Sequence, residues 1–156
     1  MSDQNKALLL RHFNEVLNLG KLDVVDEIYS DDYVLDAPVQ TEGSAKAHGQ
    51  TLGRDGLKRR VILFRSAFPD IHFTLDTIFA EAEQVAVQYK FTGTHTGQFR
   101  EMAPTGNTIS LTGILIARVT AGKINSAFSV FDSGEMMSQL DPLNKPHFGP
   151  YFIYVH

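Results

Sequence analysis

Asp132 is the acidic residue that the sequence places best for chemistry. It ends a run of β-branched, small and aromatic residues over 123–132, which follows a similar run over 108–120. Ala121-Gly122 between them fits a two-residue hairpin turn. With Thr120 opposite Lys123, Leu115 falls opposite Phe128, Gly113 opposite Val130 and Leu111 opposite Asp132. Strand alternation then gathers Ile109, Leu111, Gly113, Leu115, Ala117 and Val119 on one face, with Ile124, Ser126, Phe128, Val130 and Asp132 beside them. That face is nearly all apolar, so it is predicted to lie under the helices, with Asp132 as its exception. A carboxylate there is costly unless it is paired, hydrogen-bonded or protonated. Desolvation moves such a group up from about 3.9 toward neutrality, which suits a general acid or base. The small residues Gly113, Ala117 and Ser126 leave space for a ligand. Asp is also a preferred N-cap, and a short helix is predicted over 133–140, so the plainer reading has Asp132 capping that helix. The two roles are compatible.

Other polar residues carry less. Asp36, between Val34-Leu35 and Pro38, reads as a solvated loop carboxylate. His72 alternates with Ile71 and Phe73 and is expected to face out. His95 lies in the turn Gly93-Thr94-His95-Thr96-Gly97, where it could rim a pocket mouth. Arg118 on the opposite, mixed face reads as a surface or interface charge. No H-x-E-x-H pairing points to a metal, and no Gly-rich loop joins a strand to a helix to hold phosphate. There is no nucleophile elbow, so nothing supports a Ser-His-Asp triad. With no cysteine, disulfides, thiolate catalysis and cysteine-ligated metals are excluded. No metal or cofactor is expected.

These residues need elements to hold them. Residues 3–19 predict an amphipathic helix, with Leu9, Phe13 and Val16 on one stripe and Leu10 and Leu17 widening it. Ser2 or Asp3 can cap its start, and Gly20 suits a left-handed stop. A shorter helix at about 22–29 carries Leu22, Val25 and Ile28. Tyr33-Val34-Leu35 could form a short strand, and the polar, Gly-rich stretch from Thr41 to Gly53 reads as a long loop. Leu57, Val61, Phe64 and Phe68 share one face of a third helix, which Pro69 ends. Strands follow over 71–82, 84–93, 108–120 and 123–132; in the second, Val85, Val87, Tyr89 and Phe91 alternate with polar or small residues. A Pro- and aromatic-rich tail ends Tyr151-Phe152-Ile153-Tyr154-Val155-His156, apolar enough to be expected in packed order. Helices first and a meander of strands after is an α+β pattern.

At 156 residues the chain is long enough for one domain with a core and too short for two. Its hydrophobic fraction of 43%, with eleven Phe and five Tyr, supports a packed interior. The net charge is −4, and the only basic cluster is Lys58-Arg59-Arg60 inside a helix, which argues against nucleic-acid binding. No run approaches the roughly twenty apolar residues that span a bilayer, and no signal segment opens the chain. A cytoplasmic protein with no membrane partner is expected.

Phe68-Pro69-Asp70-Ile71, Gly93-Thr94-His95-Thr96-Gly97 and Pro104-Thr105-Gly106, followed by Gly122-Lys123-Ile124, Phe131-Asp132 and Gln139-Leu140, together resemble the SnoaL-like polyketide cyclase family over roughly residues 5–140. The resemblance implies the α+β, cone-shaped fold shared with nuclear transport factor 2 and ketosteroid isomerase. There, N-terminal helices pack on a strongly curved, mostly antiparallel sheet and enclose a pocket. It implies one domain over 1–140 and a homodimer; the tail over 141–156 has no counterpart in the family and is expected, from its apolar residues, to pack on the same domain. It also implies that Asp132 matches the pocket aspartate acting as acid/base in intramolecular aldol ring closure. Phe64, Phe68, Tyr89, His95, Leu111, Leu115, Ser126 and Phe128 are the residues expected to bind the ligand. Departures from the family are Asp36 where members often carry His, Phe128 where they carry Trp, and Ser126 and Ser129 at positions often more polar.

The expected function is cofactor-independent acid–base chemistry on a small, largely apolar carbonyl compound, either aldol-type cyclisation or isomerisation. Asp132 would take the proton, and His95, Tyr89 or Ser126 would steady the enolate. The alternative is a non-catalytic protein holding a hydrophobic ligand in the same pocket. Either is compatible with dimerisation through the mixed face around Ile114, Ile116 and Phe131.

Overall fold

The computed structural model describes residues 2–36, 53–141 and 143, with the backbone alone at Asp36. Helix α1 (Ser2–Arg11) continues without a break into a π-helical segment (His12–Leu17). Helix α2 (Asp23–Ile28) follows, then strand β1 (Tyr29–Asp36), helix α3 (Arg54–Ala67), strands β2 (His72–Glu81), β3 (Gln84–Thr94), β4 (Thr108–Thr120) and β5 (Lys123–Phe131), and helix α4 (Ser133–Leu140). The predicted long loop after Thr41 and the aromatic tail lie outside the described residues.

The strands form one sheet in the order β1-β5-β4-β3-β2, antiparallel except that β1 runs parallel to β5. Alternation decides which side is covered. Along its 13 residues β4 is buried at every second position, so Ile109, Leu111, Leu115, Ala117 and Val119 face the helices as predicted. Val85, Val87, Tyr89 and Phe91 of β3 do the same. Leu9, Phe13 and Val16 press onto this face from the first helix, and Leu57, Val61 and Phe68 join the same core. Leu10, predicted to widen the first stripe, is exposed.

The register prediction fails in one place. The hairpin starts as expected, with Thr120 opposite Lys123 and Val119 opposite Ile124, but Arg118 then pairs with Ser126. Asn125 is the extra residue of a β-bulge, and a slip of one residue exchanges the two faces of a strand. Beyond the bulge, Leu115 therefore faces Ser129 rather than Phe128, and Gly113 faces Phe131 rather than Val130.

The end of the π-helical segment is tied down from two sides. Gly20 takes a left-handed conformation with φ of 70°. Arg65 of α3 donates to the carbonyls of Leu17 (2.9 Å) and Asn18 (2.8 Å), placing a cation at the negative end of the helix dipole. The Asn18 side chain donates to the Phe73 carbonyl and accepts from the Phe73 N–H, so it caps the open edge of β2. No helix among the described residues is long and apolar enough to cross a membrane.

Candidate functional site

A cavity opens between the π-helical segment, α3, β1 and the covered face of the sheet. The space open to the centre of a water molecule is about 80 Å³. Its walls are aromatic and aliphatic, with Phe13, Phe64, Phe73, Phe91 and Leu115 among them. Into these walls are set six polar side chains: His12, Tyr29, Tyr33, Arg60, Tyr89 and Ser129.

His12 opens the π-helical segment, whose wide turn lets His12, Phe13 and Leu17 all reach the cavity. Its Nδ1 lies 2.8 Å from the Tyr29 hydroxyl, and the ring is only 4% exposed. Burial, aided by the nearby positive charge of Arg60, pulls its pKa down to about 4, so the imidazole is neutral at physiological pH. A neutral ring has two tautomers here. With the Nδ1 proton donated to Tyr29, Nε2 is left as a proton acceptor; with Tyr29 donating to Nδ1, Nε2 carries the proton. Burial pushes the phenols of Tyr29, Tyr33 and Tyr89 upward, so all three are kept as neutral hydroxyls.

Tyr89 and Ser129 meet on the sheet side, their hydroxyls 3.3 Å apart. The absence of a side chain at Gly113, beside Tyr89 on β4, makes this possible: a Cβ there would overlap the Tyr89 phenol. Arg60 lies on the same face of α3 as Leu57, Val61 and Phe64, with its guanidinium carbon 5.7 Å from the Phe64 ring centre. Burial lowers its pKa, while Tyr89 and Tyr33 act in the other direction.

Of the residues expected to bind a ligand, Phe64, Tyr89 and Leu115 line the cavity. Phe68 and Leu111 are buried in the core but do not line it. Asp132 is corrected by the bulge in β5. Its carboxylate is exposed, caps α4 by accepting the Glu135 N–H at 2.9 Å, and is absent from the cavity wall. Phe128, for the same reason, is 40% exposed on the outer face, and Ser126 pairs beside Arg118 away from the cavity. Phe131, expected on the outer face, turns inward to the cavity wall.

His95 does not rim the cavity; it is fully buried in a structural knot. Its Nδ1 accepts the Thr105 N–H at 3.2 Å, so the proton sits on Nε2. Around it, Thr96 and Gly97 donate to the Ala67 carbonyl, and Asp70 accepts both the N–H and the hydroxyl of Thr94 at 2.7 Å. Those two bonds hold the Asp70 carboxylate below its ordinary range. His72 is exposed, as expected.

The sequence reading missed His12, Tyr29, Tyr33, Arg60 and Ser129. Two of these left a signal. His12 falls three residues after Leu9 and four before Val16, and Arg60 three after Leu57 and four before Phe64, so both lie on apolar helix stripes. Among the described residues no three His, Cys, Asp or Glu side chains converge as a metal site would require.

Helices packed over a curled, mostly antiparallel sheet around such a cavity define the nuclear-transport-factor-2-like fold. The chain belongs to the SnoaL-like polyketide cyclase family, whose model matches residues 7–140. Among solved structures it is similar to AclR, a candidate hydroxylase from Streptomyces galilaeus, with a TM-score of 0.76 at 23% identity, covering 92% of this chain and 99% of that one. It is similar to IdmH, a candidate polyketide cyclase from Streptomyces antibioticus, with a TM-score of 0.74 at 26% identity over 88% and 98% of the two chains. A SnoaL-like polyketide cyclase from Agrobacterium tumefaciens strain C58 aligns with a TM-score of 0.69 at 18% identity over 87% and 97%. No curated protein sequence matches the chain.

Proposed function

We propose that the chain is a small-molecule enzyme performing cofactor-independent acid–base chemistry on a largely apolar carbonyl compound bound in this cavity. The reading rests on one observation above all: a neutral imidazole, His12, oriented by Tyr29 in the wall of an apolar hollow. In the tautomer with Nδ1–H donated to Tyr29, Nε2 can take a proton from the carbon beside a carbonyl. A pKa of about 4 makes it a weak base. Weak carboxylate bases of similar strength suffice where donors take up the enolate charge. Tyr89, with Ser129 behind it, and Arg60 are the donors available on the cavity wall. Both aldol-type ring closure and double-bond migration proceed through such an enolate, and the likeness to IdmH, a candidate polyketide cyclase, supports the former. Fold likeness alone does not choose the reaction, since AclR, of the same fold, is a candidate hydroxylase.

The test is hydrogen exchange in D2O at the carbon beside the carbonyl of 2-tetralone, followed by proton NMR. Wild type is expected to accelerate exchange, and His12→Gln to lose about 100-fold or more of that acceleration, the usual contribution of a general base. Equal rates with both proteins would remove His12 from the mechanism.

A second reading, a non-catalytic holder of a hydrophobic ligand, is favoured by the absence of any carboxylate from the cavity wall among the described residues. It predicts saturable binding with no exchange. Under either reading we propose a cytoplasmic homodimer, formed through the outer sheet face that carries Ile114, Ile116 and Phe128.

A further inference from the structure

We propose that Arg60 is a binding residue for a carboxylate, so that the largely apolar ligand of the cavity is flat and carries an acid group. The inference deepens the reading of the cavity as a ligand site and depends on that reading, but not on turnover.

Helix α3 is rich in cations, and the others are accounted for. Arg54 and Lys58 reach Asp26, at 3.7 and 2.8 Å. Arg65 spends its guanidinium on the carbonyls of Leu17 and Asn18. Arg59 is exposed to water. Arg60 alone among them turns into the cavity. Among the described residues no carboxylate lies within ion-pair distance of it, and no hydrogen-bond acceptor is seated on it.

Among the described residues, the other groups that act on that charge are neutral or alike in sign: His12, the phenols of Tyr33 and Tyr89, and the cation of Arg100. A desolvated cation is costly without a counter-charge, and guanidinium does not shed its proton at any physiological pH. The lowering of the Arg60 pKa reports the same cost from the side of burial. The partner that suits such a group is an anion, and Arg60 lines the cavity in which a ligand would sit. A planar guanidinium matches a carboxylate through two parallel N–H bonds. The rings of Phe13, Phe64, Phe73 and Phe91 provide flat apolar walls for the rest of the molecule, which favours an aromatic or polyenic skeleton.

The experiment titrates the full chain at pH 7 with 2-naphthoate and with its neutral counterpart 2-naphthamide, by calorimetry. Wild type is expected to bind the acid about tenfold or more tightly than the amide, the difference typical of a hydrogen bond to a charged group. Arg60→Met is expected to abolish that preference, and Arg60→Lys, which keeps charge but not the fork, to retain part of it. Equal affinities in wild type, or no binding of the acid, overturn the proposal without recourse to any variant. That is also the result expected if a carboxylate of this chain already occupies Arg60. A preference that persists in folded Arg60→Met overturns it too. His12→Gln is expected to keep the acid preference. A wild-type chain that prefers the acid but accelerates no exchange sinks catalysis alone, and one that accelerates exchange without the preference sinks the Arg60 proposal alone.

Discussion

At the scale of single residues, the cavity trades stability for neutral polar groups held in an apolar wall. His12 shows the trade most directly. Its ordinary pKa of 6.5 falls to about 4 in the folded chain because burial opposes the imidazolium. As pH drops from 6.5 toward 4, the unfolded chain takes up a proton that the folded chain refuses, so stability is complete above this window and falls through it. A shift of that size corresponds to about 3 kcal/mol. Carboxylates with depressed pKa values, such as Asp70, also weaken the fold in acid, so the comparison must be with a variant that keeps them. Urea unfolding of wild type and His12→Gln at pH 7 and pH 4.5 makes it. Wild type is expected to lose more stability across that interval than the variant. Parallel losses would mean that His12 titrates in the folded state as it does in water.

At the scale of elements, the segments that carry the family resemblance, Phe131 excepted, are not the ones that build the cavity. Phe68-Pro69-Asp70 and Gly93-Thr94-His95-Thr96-Gly97 form the knot that fastens the end of α3 to the turn after β3. Gly97 is its tightest point, since a Cβ there would run into the Ser66 carbonyl, which is backbone and cannot swing away. Gly97→Ala is expected to cost about 3 kcal/mol, and Thr96→Ala, at an exposed position, less than about 0.5 kcal/mol. Thermal denaturation of the two variants checks the pair, and a Gly97→Ala protein as stable as wild type would show that the knot can relax. The same division explains what was legible. The strict alternation of β4 and the apolar stripe of α3 bury one face whatever the rest of the chain does, so they could be read directly. The face of β5 could not. After the bulge at Asn125, Ser126, Phe128 and Val130 make as mixed a set as Ala127, Ser129 and Phe131, and only the pairing with β4 chooses between them. Asp132 was misplaced for that reason, while its capping role, a local property, was readable. Tyr29 and Tyr33 depend on a parallel pairing of β1 with β5 across most of the chain, which no local pattern announces. Arg60 was hidden differently, by being grouped with Lys58 and Arg59 instead of with the helix face it shares.

At the scale of the whole molecule, the bulge that turns Ser129 inward has its counterpart outside. It leaves Phe128 on the outer face directly opposite Ile116, with Val130 opposite Ile114, so an apolar strip crosses the middle of β4 and β5. Ile114, Ile116 and Phe128 are 47%, 38% and 40% exposed in the single chain. Strands with one side in water usually carry polar residues there, and a contiguous apolar strip marks a contact surface. The sheet can meet a second copy face to face about a two-fold axis, since the same strip is then buried on both protomers. Sedimentation equilibrium at micromolar concentration is therefore expected to give a dimer. Phe128→Glu together with Ile116→Lys is expected to give a folded monomer, because both side chains already project outward and their replacement leaves the core untouched. The cavity opens on the other face of the sheet, so naphthoate affinity should survive in that monomer. A wild-type chain that sediments only as monomer would leave the strip without this partner. A monomeric variant that loses its ligand would show instead that the two faces of the sheet are coupled.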